Sequence, residues 1–348
     1  MTPRAFPLGA PDWTEPGLFT VAPGVHRIPL PLPTDGLRAV NVYVIEDGNG
    51  LVLVDSGWAL EVARRQLEAA LTVLDAGLPD VRRFLVTHVH RDHYTQAVAI
   101  RRELGTPVAL GAEEKPSLDL IGEQVMPLSA QAERLVRAGA QPVLDRLLAM
   151  LPPGGRRAGS AEYEEYPDEW IADGTEYELA GRTLTAVHTP GHTRGHVVFV
   201  DAGAGLLFAG DHVLPHITPS IGFEPVPLEL ALRSYLGSLA AVRRMPDLRL
   251  LPAHGPVTDS AHARIDQLLE HHRTRLEECA DAVRHGAETA YQAAGMLTWT
   301  RRLRPLEDLD TFNQMLAVNE TAEHLDLLVV QGRLRSGDLD GVRHYEVP

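Results

Sequence analysis

The sequence holds a single cysteine, Cys279, in 348 residues. That excludes an internal disulfide framework and suits a reducing compartment. No apolar run approaches the roughly 18–20 residues that a membrane-spanning helix needs. The opening stretch, MTPRAFPLGAPDWTEPGLFT, carries prolines and acids where a signal peptide would need unbroken apolar sequence. These absences predict a soluble, cytoplasmic protein with no membrane partner. Positive charge is also short: 32 basic residues face 47 acidic ones, for a net charge of −15. Polyanions are repelled at long range, so nucleic acid is disfavoured, although a local basic groove could override the net charge. Lys115 is the one lysine, a bias that points to genome composition more than to chemistry. Core-forming residues are plentiful. With 44% hydrophobic and 23% charged residues, the chain is neither disordered nor fibrous, and its length suits one large domain with an appendage or two modest domains.

The opening segment to about Pro23 reads as a tail or an edge-covering extension. From His26 the pattern becomes strand-like: HRIPL, AVNVYVIE, a turn at Asp47-Gly48-Asn49-Gly50, then LVLVD. Two apolar, β-branched runs flanking such a turn predict a hairpin. Leu60, Ala63, Leu67, Leu71 and Leu74 recur at helical spacing, predicting a helix over 59–76. RRFLVTH is a buried strand ending in histidines, followed by a helix over about 94–104 and the short strand TPVAL. Residues 111–168 interrupt the alternation with a helical stretch over 130–151, the run Pro152-Pro153-Gly154-Gly155, and the acidic AEYEEYPDEW. This reads as a helical insertion beside a pocket. Strand signals resume in TEYEL, RTLTAVH, HVVFVDA, GLLFAGD and LRLLPAH, with helices expected over 228–244 and 260–285. The remainder, 286–348, predicts three short helices and a final hairpin turning near Gly337–Gly341.

The histidines cluster. T-H-V-H-R-D-H places His88, His90, Asp92 and His93 within six residues, directly after a strand. A strand-to-helix loop can aim His88 and His90 at one point, and the first helical turn adds Asp92 and His93 from another side. Imidazoles and carboxylates are what zinc and similar ions accept, three or four per ion. An ordinary surface loop has no reason to gather four such groups. Later strands end the same way: V-H-T-P-G-H-T-R-G-H carries His188, His192 and His196, F-A-G-D-H carries Asp211 and His212, and L-P-A-H-G-P carries His254. One strand-end histidine is more often structural than a ligand. Together with the first cluster, however, these supply enough ligands for two metals. Neighbouring glycines let the backbone turn sharply and leave room for an ion.

H-x-H-x-D-H followed by P-G-H-T, G-D and A-H-G, after an early V-D-S-G, is similar to the metallo-β-lactamase fold superfamily over about residues 20–285. The resemblance implies an α+β fold, the four-layer αββα sandwich, for a catalytic domain spanning 1–285. It implies a first metal on His88, His90 and His192, and a second on Asp92, His93 and His254, with Asp211 bridging both. Asp55 of V-D-S-G would brace the site without binding metal. His188 and His196 would support the ligand loop, His212 and, more weakly, His216 are candidates to face the pocket, and His271 and His272 read as a solvated helix face. Residues 286–348 resemble the small winged-helix-like C-terminal domain of the β-lactamase-like protein 2 group, on A-V-N-E-T-A-E-H-L-D-L-L and the G-R-L-R hairpin. Its expected recognition helix, 321–331, carries Glu323 and Asp326 and no Arg or Lys, so packing or pocket-lining suits it better than phosphate binding.

The implied chemistry is a binuclear, metal-dependent hydrolase using two divalent ions, zinc first with iron or manganese as alternatives. Two ions about 3.5–4 Å apart would share a bridging hydroxide. Asp92 and Asp211 would be catalytic: Asp92 orients the nucleophile and Asp211 fixes the metal spacing. No G-x-S-x-G elbow or Walker-type loop offers another route. The favoured substrate is a small thioester, lactone or other ester. A phosphodiesterase or ribonuclease, a mononuclear-iron persulfide dioxygenase and a non-catalytic binding protein are the alternatives. A lactonase would be expected to carry a tyrosine soon after the bridging aspartate, which D-H-V-L-P-H-I-T-P-S-I-G-F lacks. A homodimer is allowed for.

Overall fold

The computed structural model describes residues 12–33, 36–122, 129–150 and 165–348. Part of the opening tail, the Pro152–Gly155 run and the first acids of AEYEEYPDEW therefore lie outside the described residues. The apolar runs resolve into two sheets. The first contains β1 (Phe19–Ala22), β2 (Val25–Pro31), β3 (Ala39–Asp47), β4 (Gly50–Val54), β5 (Val81–Val86), β6 (Val108–Gly111) and β7 (Glu169–Ile171), in that order. It is antiparallel up to β4 and parallel beyond. Gly48, at φ +64°, makes the expected turn between β3 and β4, a conformation glycine adopts without a Cβ clash. The second sheet contains β8 (Glu176–Leu179), β9 (Arg182–His188), β10 (Val197–Asp201), β11 (Leu206–Gly210) and β12 (Arg249–Pro252), in the order β12-β11-β10-β9-β8.

The sheets bury their inner faces against each other through Tyr43, Ile45, Val54 and Leu85 on one side and Leu184, Phe199, Phe208 and Leu251 on the other. Outside the first sheet lie α1 (Glu61–Leu71) and α2 (Arg91–Leu104), which pack Leu67, Leu71, Ala97 and Val98 against its outer face. Outside the second lie α6 (Ala231–Arg243) and α7 (Ala261–Arg284). The result is a four-layer αββα sandwich. Its parallel pairs β4–β5 and β11–β12 run their carboxyl ends to the same edge. There Asn41 Nδ2 donates to the carbonyls of Pro252 (2.9 Å) and Gly255 (2.8 Å), and Val197 N–H to that of Thr87 (2.8 Å), stitching the sheets together.

Several helices differ from expectation. The first stops at Leu71, because a 3-10 turn over Thr72–Leu74 leads into Asp75 at φ +53°. The second starts earlier, at Arg91, so Asp92 and His93 form its first turn. The insertion carries α3 (Lys115–Gly122), and its expected long helix is two: α4 (Ser129–Arg137) and α5 (Gln141–Ala149). Gly139 at φ +73° breaks them, with Gly139 N–H and Ala140 N–H returning to the carbonyls of Val136 and Leu135. Such a left-handed residue satisfies the terminal carbonyls of the first helix.

The tail is not three short helices. It is α8 (Ala290–Met296), a 3-10 turn over Leu306–Asp308, the 20-residue α9 (Thr311–Val330) and the hairpin β13 (Arg335–Leu339) and β14 (Val342–Glu346). The segment 321–331, expected to pack rather than to meet phosphates, is the carboxyl half of α9, and it is buried: Thr321, Glu323, His324, Leu325, Leu327 and Leu328 are all enclosed. α9 packs on α4, α5, α6, α7 and α8, and a helix covered on every side needs few exposed charges. Met315, Val318 and Leu325 share one apolar cluster with Leu268, Leu276 and Cys279 of α7, so the core runs across position 285. His271 and His272, read as a solvated face, are corrected for the same reason. α9 lies over them, His272 is buried and His271 half-buried.

Candidate metal centre

Loops that follow strands at the shared edge carry the polar side chains. β5 ends at Val86 and delivers His88, whose ring is buried; His90 precedes α2, and Asp92 and His93 lie in its first turn. The β9–β10 loop supplies His192, Asp211 follows β11, and His254 follows β12. Donor atoms of His88, His90, His192 and Asp211 lie within 4.8 Å of one another, and so do those of Asp92, His93 and His254. The structure thus brings together all seven residues expected as ligands.

Hydrogen bonds dictate which ring nitrogens face inward. His192 Nδ1 donates to Ser220 O and His254 Nδ1 to Ala39 O, each at 2.8 Å, because a carbonyl can only accept. His93 Nδ1 donates to Asp55 Oδ2 (2.9 Å). The Thr87 hydroxyl gives its proton to Asp55 Oδ1 (2.9 Å) and accepts from His88 Nδ1 (3.1 Å). All four rings therefore turn Nε2 into the site. His88 Nε2 and His192 Nε2 each lie 3.0 Å from His90 Nδ1, which cannot donate to both. Nitrogen lone pairs converging this closely repel unless a cation sits between them. The spacing is near that of a tetrahedral ion with bonds of about 2.1 Å. His93 Nε2, His254 Nε2 and Asp211 Oδ1 are buried and without hydrogen-bond partners, orphans of the kind a metal would satisfy.

The two groups differ electrically. Burial, followed by the neighbouring rings, holds His88 well below its ordinary value. Burial also takes His90 down to about 3 and His192 to about 4. In the second group burial is outweighed: Asp92, Asp55 and Asp211 raise His93, and Asp211 and Asp92 raise His254. Asp92 is lowered, against its own burial, by His93 and His254. Asp211 faces both groups, with Oδ2 3.4 Å from His192 Nε2 and Oδ1 3.4 Å from His254 Nε2.

A strand–turn geometry of this kind has relatives. Residues 35–254 match the model of the metallo-beta-lactamase superfamily. The chain belongs to this superfamily. It is 27% identical over 246 residues to lactamase-like protein aptB of Emericella nidulans, covering 70% of this chain and 59% of that protein. The chain thus spans little more than half the length of that fungal relative. It is 22% identical to the beta-lactamase-like protein 2 homolog of Caenorhabditis elegans (83% of this chain, 82% of the other). It is 24% identical to the probable metallo-hydrolase YqjP of Bacillus subtilis (89% and 93%). The crystal structure of a beta-lactamase domain protein from Burkholderia ambifaria superposes with a TM-score of 0.78 at 27% identity, covering 95% and 94% of the two chains. Superfamily membership and the two clusters of His and Asp donors suit a divalent-metal site at this edge.

The superfamily's bracing aspartate is here Asp55, buried and held at φ +61°. A left-handed non-glycine residue costs on the order of 1 kcal/mol. The strain brings its carboxylate under Thr87 N–H (2.8 Å), the Thr87 hydroxyl and His93. His196 Nε2 accepts from Asp211 N–H (3.1 Å) while Nδ1 donates to Thr189 Oγ1 (2.9 Å), so His196 fixes the backbone of the shared ligand. His188 Nε2 donates to Arg194 O (2.8 Å) and closes the His192 loop. His212 is buried between the rings of His196 and Tyr235 and lies outside both ligand groups. His216 is half-buried, its carbonyl accepting from Arg301.

Sequence reasoning missed Glu114 and Glu224. Glu114 Oε1 accepts from the Thr193 hydroxyl (2.5 Å) and Val89 N–H (3.4 Å), the neighbours of His192, His88 and His90. Burial lifts Glu114 to about 7; burial and then Glu114 lift Glu224 to about 8. The only sequence signal for Glu114 was an acid soon after a strand ending in glycine, and Glu224, in a loop well past β11, had none. The tail also reaches the site: Asn319 of α9 donates to Gln131 (2.7 Å), which donates to Glu224 O (3.0 Å).

Proposed function

We propose that the protein hydrolyses a small thioester, lactone or other ester carrying an apolar acyl group. Two divalent ions, zinc in the first instance, would be held by His88, His90 and His192 and by Asp92, His93 and His254, with Asp211 between them. The observation that carries the two-ion reading is the split attention of Asp211, whose two oxygens address different histidine sets. Bound there, the ions would make a water acidic enough to attack near neutral pH and polarise the carbonyl under attack.

The protein's own groups would do the rest. Asp92 is more exposed than Asp211, with 17% of its side chain accessible against 9%. It engages His254 and His93 through Oδ2, leaving its other oxygen to orient the water and pass a proton to the leaving thiolate or alkoxide. The Phe223 ring lies 6.3 Å from that of His90, and Phe312, from the start of α9, lies 5.4 Å from Phe223. With Ile217 exposed nearby in sequence, these rings offer an acyl group an apolar wall. A small-molecule substrate is also favoured by the net charge of −15 and by the burial of the helix that would otherwise meet nucleic acid. No helix among the described residues is long and apolar enough to cross a membrane.

Metal content by mass spectrometry, followed by a panel of acyl thioesters, lactones and phosphodiesters, tests the reading. Two equivalents with thioester or lactone turnover are expected. One equivalent of iron, with oxygen consumed on glutathione persulfide, would replace hydrolysis by sulfur oxidation. Turnover of phosphodiesters alone would move the substrate class.

A further inference from the structure

A second histidine cluster lies between α7 and α9. The ring of Tyr235 separates it from His212, with centroids 5.5 Å from His212 and 5.5 Å from His272. Ring nitrogens of His271 and His272 and a carboxylate oxygen of Glu320 lie within 4.8 Å of one another. Hydrogen bonds again settle the protons. His324 Nδ1 donates to the carbonyl of Glu320 (2.7 Å), so its Nε2 must accept, and His272 donates to it from Nδ1 (3.1 Å). The two rings are stacked with centroids 5.2 Å apart. His272 Nε2 is left with a lone pair, in a fully buried residue, and without a partner. Leaving such a group unsatisfied costs folding free energy. A ring whose N–H is spent on a neighbour, so that its other nitrogen stays bare, is how proteins prepare a histidine to bind metal.

We propose that His271, His272 and Glu320 form a further divalent-cation site, distinct from the centre around Asp211, that ties the C-terminal helix α9 to α7. Two imidazoles and a carboxylate are a donor set zinc accepts, with a fourth position for water. Half-exposure of His271 and Glu320 gives an ion a way in. Glu320 serves twice, its carbonyl orienting His324 and its carboxylate facing the ion. Burial, then Arg275 and Arg264, lowers His271 to about 4, and burial raises Glu320. The imidazole is therefore free of a proton at neutral pH, and the ion must displace any proton on the carboxyl. Arg275 is the competing cation, but it is engaged by Glu278 (3.0 Å) and Thr298 O (3.1 Å) and lies over Trp299.

The test is zinc itself. Full-length protein with its main centre filled is titrated with Zn2+ by calorimetry, and bound metal is counted by mass spectrometry after gel filtration. Wild type is expected to take one equivalent more than either His271→Ala or Glu320→Gln. It should also gain melting temperature from that last equivalent, which the two variants do not. Asp211→Ala, which strips the main centre, should keep the extra equivalent. Equal zinc counts in wild type and both variants would overturn the site, as would loss of the extra equivalent in Asp211→Ala. Glu320→Gln is nearly isosteric and His271 is half-exposed, so failure of one variant to fold leaves the other to decide.

Discussion

The two ligand groups of the metal centre use the same residue types and are held by different means. His88, His90 and His192 are stripped of protons by burial and oriented by neutral oxygens, the Thr87 hydroxyl and the Ser220 carbonyl. His93 and His254 sit among Asp55, Asp92 and Asp211, which raise their affinity for protons. The first group is a ready set of lone pairs. The second is a charge-compensated set in which protons compete with an ion. A single fold edge thus offers one site formed by sterics and one formed by electrostatics, joined through Asp211.

The sharpest way to break the comparison is to remove the joint. Asp211→Ala should lose metal from both groups and lower kcat/KM by on the order of 10^3 or more, since the shared carboxylate is the contact both sets use. His90→Ala touches only the first group and should lose one equivalent while the second is retained, read by metal counting beside circular dichroism. If both variants lost the same single equivalent, Asp211 would not be shared.

Removing the brace should separate the groups next. Asp55→Asn keeps a residue that tolerates the left-handed conformation but weakens the acceptor for His93 Nδ1. Loss of such a supporting partner typically costs 10–100-fold in metal affinity, and it should fall on the second group. Competition with a chelator measures it. An equal loss from both groups would show that Asp55 acts through the fold as a whole.

Acidity should discriminate more gently. The carboxylates raise His93 and His254 above their ordinary value, so protons compete with an ion there to a higher pH than in the first group. Affinity at the second group therefore rises with pH until those values are passed, by up to about tenfold per unit for each proton displaced. His90 at about 3 and His192 at about 4 are already bare, so the first group should hold steady between about pH 5 and about pH 8. Lowering the pH should take occupancy from two ions to one before activity is wholly lost. Parallel loss of both ions would contradict the electrical distinction.

The residues that converge on this edge were legible because chemistry is local in them. His88, Asp211 and His254 sit one or two residues past an apolar strand, and the rest of T-H-V-H-R-D-H and His192 follow in the same strand-end loops or the first helical turn, where side chains point out of the sheet edge. The strands were equally legible from their apolar runs. Gly139 was not read as a break, since a helical pattern tolerates an isolated glycine. His272 could not be told from a surface histidine, because what covers it, His324, is 52 residues away. Glu114 reaches Thr193 across 79 residues, a contact no spacing rule contains. What supports a site is set by tertiary approach, and periodicity carries no record of it.

Glu114 and Glu224 offer the smallest test. Both carboxyls are buried, and their folded values, about 7 and about 8, stand above the ordinary 4.5. A carboxyl raised on folding contributes stability while protonated in both states. That contribution falls as pH climbs past the unfolded value and is gone once the folded value is exceeded. Melting temperature should therefore slope downward from about pH 5 to about pH 8. Glu224→Gln should flatten the slope, gaining on the order of 1–2 kcal/mol at the alkaline end with both metals retained. Glu114→Gln should flatten it too, but it weakens an acceptor that ties Val89 and Thr193 together, so it should also loosen the first group's ion by a small factor. A Glu114→Gln variant that lost second-group metal instead would show that the buried carboxyl supports α2 rather than the two histidine loops.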